Sequence, residues 1–105
     1  MGQVSIVCYR PKPGKEAQLL ELTRQHIPIL RAQGLVTDRE PYLMRAADGT
    51  LVEVFEWKSA DAIEAAHANQ EVGKLWQRYA DLCDYVKLGD LAETRELFAN
   101  FDQIE

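Results

Sequence analysis

Cysteine is scarce, with two in 105 residues, so thiols can build neither a disulfide framework nor a four-ligand zinc site. No run approaches the ~20 consecutive apolar residues of a membrane span, and no charged-then-apolar leader opens the chain. Cations are in the minority: 12 Lys and Arg stand against 17 Asp and Glu, a formal charge of −5. Phosphate binding needs clustered Lys and Arg, so nucleic acid is excluded as the main partner. A glycine-rich phosphate cradle, a G-x-S-x-G elbow and a C-x-x-C pair are all missing. The two histidines, His26 and His67, have no carboxylate at ligand spacing, and no H-E-x-x-H pattern exists. Neither a metal nor a cofactor is therefore expected. What these absences leave is a protein of a reducing compartment, expected in the cytoplasm.

What is present fits one α+β domain. The composition, 47% hydrophobic and 28% charged, is that of a globular chain, and the length suits a single domain over 1–105. Gln3 to Tyr9 is β-branched and aromatic, as a strand should be, and Pro11, Pro13 and Gly14 stop it. From Lys15 to Gln33 the apolar residues recur at helical spacing, and Gly34 suits the helix end. Pro28 lies inside that pattern, removes one backbone bond and crowds the carbonyl of Arg24, so a kink or break is expected there. Asp48-Gly49 between Pro41–Ala47 and Thr50–Trp57 is the signature of a two-residue hairpin loop. That loop sets Ala47 against Thr50, Arg45 against Val52, Met44 against Glu53 and Tyr42 against Phe55. Tyr42, Met44, Leu51, Glu53, Phe55 and Trp57 would then share one sheet face. Ser59 is a good N-cap for a helix to about His67, Asn69 can recap a second one to about Ala80, and Leu82–Leu88 reads as a last strand. In the tail, Leu97, Phe98, Phe101 and Ile104 are too apolar for a free end.

Strand, helix, hairpin, helix, strand is the βαββαβ order of the ferredoxin-like split βαβ fold. Right-handed crossovers give an antiparallel four-stranded sheet with the helices on one face. Both faces of the hairpin are mainly apolar, so the second face needs a lid, and another copy of the chain is the simplest one. The expectation is a homodimer formed sheet to sheet, with a core over about 3–88 and a tail, 89–105, packed on the core or gripping the partner.

Three segments in order resemble a known family. They are Tyr9-Arg10-Pro11-Lys12-Pro13-Gly14-Lys15-Glu16 at the strand exit, Glu56-Trp57-Lys58-Ser59 between third strand and next helix, and His67 followed by Val72 and Leu75-Trp76. Together they are similar to the dimeric α/β-barrel superfamily, and within it to the antibiotic-biosynthesis-monooxygenase-like domains. The chain departs from that pattern at Phe55, where the family often has Glu two positions before the Trp. The resemblance implies a homodimeric barrel with a pocket between sheet and helices. It also implies oxidation of phenolic or quinol-like compounds by dioxygen without metal or flavin. Haem cleavage, which relatives carry out with an Asn on the first strand, is disfavoured by Cys8 and Tyr9 in that place.

Each candidate residue has two readings. His67 points toward the apolar stripe of its helix and could serve as general base for a phenolic or enolic proton, or could simply pack near the break at Asn69. His26, two residues before Pro28, is either a second acid–base group that holds substrate or a partly exposed helix histidine. Glu53, between Leu51 and Phe55, must be paired or protonated if buried; it is a pocket acid or base, or the partner of an Arg. Tyr42, Trp57, Trp76 and Tyr79 would wall and hold a flat ring system, or belong to the core. Cys8 and Cys83 lie on strands that should be neighbours, so a reversible pairing competes with two buried thiols. The leading expectation is a small-molecule-binding homodimer, a cofactor-independent oxygenase acting on an aromatic or enolisable metabolite. Its rival is a non-catalytic ligand-binding or structural dimer module.

Overall fold

The computed structural model describes residues 1–104, and its elements follow the order of the sequence signals. Strand β1 is Gln3–Pro11, helix α1 Glu16–Ala32, β2 Tyr42–Arg45 and β3 Leu51–Trp57. Helices α2 (Ala60–Ala68) and α3 (Gln70–Leu82) precede β4 (Cys83–Val86), two 3-10 turns over Leu88–Asp90 and Ala92–Arg95, and a short β5 (Asp102–Gln103). Among the described residues this is an α+β fold with one antiparallel sheet, ordered β4-β1-β3-β2-β5. No helix among them is long and apolar enough to cross a membrane.

The helix ends carry the caps that the sequence signals. Ser59 Oγ accepts from the Ala62 N–H at 3.2 Å and Asn69 Oδ1 from Val72 at 3.1 Å, each satisfying a donor that a helix start leaves unpaired. Gly34, at φ +73°, closes α1 with paired bonds from its own N–H to Arg31 and from Leu35 to Leu30, the arrangement that needs a left-handed residue. Of the kink or break expected at Pro28, the break does not occur: α1 runs through it. Pro28 is on the exposed side, while Leu22, Thr23, His26, Ile27 and Leu30 bury the opposite face on both sides of it. Packing of that stripe holds the helix across one missing bond.

The hairpin corrects the expected register. Tyr42 pairs with Val54, Leu43 with Glu53, Met44 with Val52 and Arg45 with Leu51, one residue away from a two-residue loop. Only Gly49 has positive φ, at +93°, and Asp48 does not. The Ala46 N–H donates to Thr50 at 2.8 Å and the Gly49 N–H to Ala46 at 3.0 Å. Ala47, Asp48 and Gly49 thus form a three-residue loop with a glycine bulge. A slip of one residue turns every β2 side chain over. Leu43 joins Leu51, Glu53, Phe55 and Trp57 on the helix side, and Tyr42 and Met44 move to the outer face.

In that loop the Thr50 N–H donates to Asp48 Oδ1 at 2.9 Å, and Arg10 approaches Oδ2 at 3.5 Å. The Thr50 N–H first, and the Arg10 charge after it, hold the Asp48 carboxyl below the usual carboxylate range. A depressed folded value contributes stability above the unfolded pKa, ~3.9, which is lost as pH falls through the folded value. Asp48→Ala is therefore expected to cost about 0.5–1 kcal/mol at pH 7. In urea unfolding the gap from the parent protein should close below pH ~4; a gap independent of pH would show that the charge plays no part.

The outer face is only partly bare. The C-terminal segment lays Leu88, Leu91 and Phe101 against Cys8, Met44, Ala46, Val52 and Val86. At the other end of this face Val4, Ile6 and Tyr42 stay 62%, 48% and 58% exposed. Cys8 faces outward opposite Val86, whereas Cys83 faces the helices opposite Pro11. The thiols are thus three residues apart along β1, about 10 Å, on opposite sides of the sheet, which is too far for a bridge. Both are free and buried.

Candidate functional site

The helix-facing side of β1 presents Ser5, Val7 and Tyr9 at a spacing of two, and β3 presents Phe55 and Trp57 beside them. Tyr85 on β4 pairs with Tyr9. Over this floor, His26 of α1, His67 of α2 and Trp76 of α3 complete a cavity of about 430 Å³. That volume is in the range of small-molecule sites. Trp57 donates its indole N–H to Ser5 Oγ at 2.9 Å, which fixes its ring as a wall.

Behind the aromatic lining lies a buried polar chain. Tyr9 donates its O–H to Glu53 Oε1 at 2.8 Å, and His26 Nδ1 lies 2.8 Å from the same oxygen. Trp76 donates its indole N–H to His26 Nε2 at 3.2 Å. An indole nitrogen can only donate, so Nε2 must hold the lone pair and Nδ1 the proton. His26 is thereby the tautomer that donates to Glu53. His26 and Glu53 are each 2% exposed, and their pairing is what permits two such groups in the core. The His26 ring stands edge-on to Phe55 and Tyr79, with centroids 5.4 and 5.8 Å away. Burial first, then the Glu53 charge, raises the Tyr9 pKa well above that of free phenol, so Tyr9 remains a donor. Burial likewise pushes Tyr85 up to about 12.

Of the residues singled out in the sequence, His26, His67, Trp57 and Trp76 come together around this cavity. Glu53 stands one layer behind, bound to His26, and also lines a smaller cavity of about 210 Å³ with Thr23, Arg31 and Glu40. His67 is exposed at the rim: Nδ1 is 2.8 Å from the Ile63 carbonyl, and its ring lies edge-on to Trp76 at 5.2 Å. Tyr79 is fully buried, stacked on Tyr9 at 4.7 Å and donating to Thr23 Oγ1 at 3.2 Å; it supports the floor without reaching the cavity. Tyr42, turned over by the register shift, stands on the outer face beside Val4 and Val54. Across the hairpin Glu53 faces Leu43 and not Met44, and its carboxylate meets Tyr9 and His26. Sequence reading missed Tyr9, Tyr85 and Ser5. The alternation Ser5, Val7, Tyr9 along one strand was the available signal.

Chemically, the arrangement is a carboxylate–imidazole pair. The carboxylate fixes the tautomer and would stabilise the imidazolium formed when Nε2 takes a proton. Aromatic walls exclude water, which strengthens such electrostatics. No protein-family model, curated protein or solved structure matches this chain.

Proposed function

We propose that this chain binds a flat aromatic or enolisable metabolite and takes a proton from it with His26, held by Glu53. The observation that carries the reading is the meeting of the Glu53–His26–Trp76 chain with a cavity walled by Trp57, Phe55 and Trp76. His26 Nε2 receives the proton, and Glu53 balances the charge. His67 and Tyr85 at the rim hold substrate oxygens. Dioxygen is the co-substrate: the carbanion passes one electron to it, and ligand radical and superoxide combine at carbon. The peroxide regains the proton from His26 and loses water, leaving a carbonyl. The chain resembles antibiotic-biosynthesis-monooxygenase-like domains, whose chemistry this follows.

The same reading takes the β4-β1-β3-β2 order as a ferredoxin-like fold that pairs into a dimeric α/β barrel through the outer sheet face. The wet apolar residues Val4, Ile6 and Tyr42 support it, because such a patch is covered by a partner of like character. Two unpaired buried thiols suit the cytoplasm.

Titration with fused-ring phenols such as 1-naphthol and 1,4-dihydroxynaphthalene, read by quenching of Trp57 and Trp76, tests the site. Oxygen uptake then tests the chemistry. His26→Gln is expected to lower turnover about 10²–10⁴-fold while the affinity for the ring system stays within a few-fold. Binding without oxygen uptake would leave a ligand-binding module, and absence of binding by any such phenol would remove the cavity from the function.

A further inference from the structure

Trp76 occupies an unusual place. Its indole N–H sits on the one nitrogen of His26 that can accept a proton, at 3.2 Å, while the edge of its ring system meets His67 at 5.2 Å. Three of the polar groups around His26 are committed elsewhere. Tyr9 gives its O–H to Glu53, Glu53 Oε1 takes the Nδ1 side, and Tyr79 gives its O–H to Thr23. Among the described residues the Nε2 lone pair has one hydrogen-bond partner, and that partner is a donor only. A hydroxyl arriving in the cavity cannot use Nε2 while the indole N–H is on it, since a ring nitrogen has a single lone pair in the ring plane.

We propose that Trp76 is a gate on the base: in the empty protein its N–H holds the Nε2 lone pair of His26, and a ligand hydroxyl reaches that nitrogen only by displacing it. The gate locks the tautomer that aims Nδ1–H at Glu53, so the pair is oriented before a ligand arrives. Trp76 is thus a positioning residue whose departure couples ligand entry to base exposure. Trp76 is half-buried, on the cavity side of α3, where its ring borders both the cavity and the core.

The inference rests on the cavity being a ligand site, but its first test needs no ligand. Nitrogen-15 NMR of His26 should show Nε2 unprotonated at pH 7, and the Trp76 indole proton slow to exchange with water. A protonated Nε2 in the empty protein would overturn the gate. Trp76→Phe keeps a ring and loses the donor. The second test compares 1-naphthol with its methyl ether, using Trp57 as reporter. Loss of wall area weakens both, but the preference for the hydroxyl should grow about three- to tenfold in Trp76→Phe. An unchanged preference would overturn the proposal. Should that variant fail to fold, the parent protein decides: saturating 1-naphthol should make the Trp76 indole proton labile, and retention of slow exchange would count against the gate. If neither naphthalene binds, the functional reading fails while the tautomer measurement still stands.

Discussion

Glu53→Ala is expected to destabilise the protein by about 3–5 kcal/mol, the usual consequence of removing one member of a buried, hydrogen-bonded charged group. Two donors lose their acceptor at once, the Tyr9 O–H and the His26 Nδ1–H, both at 2.8 Å from the same oxygen. Neither can turn to water, since Tyr9 is 1% and His26 2% exposed. The cavity left by the side chain adds to the loss. For a domain of this size the midpoint of thermal unfolding should fall by at least about 12 °C, measured by circular dichroism. Glu53→Gln keeps an acceptor oxygen in place and should cost only about 1 kcal/mol, yet it should abolish the stabilisation of an imidazolium on His26. A mild Glu53→Ala, within about 1 kcal/mol of the parent, would show that the pair does not hold the core.

Ile6→Asp is expected to split the homodimer proposed above. Ile6 lies on β1 opposite Val54, with Val4 and Tyr42 on the same outer face, and is 48% exposed in the single chain. A carboxylate there is solvated in the monomer but loses its water in a sheet-to-sheet interface. Roughly 4 kcal/mol of unpaired charge raises the dissociation constant by about 10³-fold. Sedimentation should show the parent protein at twice 12.0 kDa and the variant as a single chain with unchanged thermal stability at low concentration. A parent protein that sediments as one chain at micromolar concentration would end the barrel reading, whatever the variant does.

Much of the fold is legible along the chain because its signals are local. Ser59, Asn69 and Gly34 cap where their side chains or conformational freedom permit, and helical spacing marks α1 and α3. The hairpin shows where local reading stops. Asp-Gly suits a two-residue loop and also a type I turn closed by a left-handed glycine, and the choice moves the register by one. The site was legible in pieces: His26, His67, Glu53, Trp57 and Trp76 stood out by type. Nothing in their order showed that His26, rather than His67, would sit on a carboxylate 27 residues away in sequence.

What the chain determined by itself is the succession of elements, their caps and the two apolar sides of the sheet, since propensity, capping and periodicity act over a few residues. Only the tertiary structure decided which face Tyr42 takes, that the tail shields part of the second face, and that Tyr9, Glu53, His26 and Trp76 join in one hydrogen-bonded chain. The last of these joins residues 27 to 50 positions apart, where the geometry of packing, and no local preference, chooses the partner.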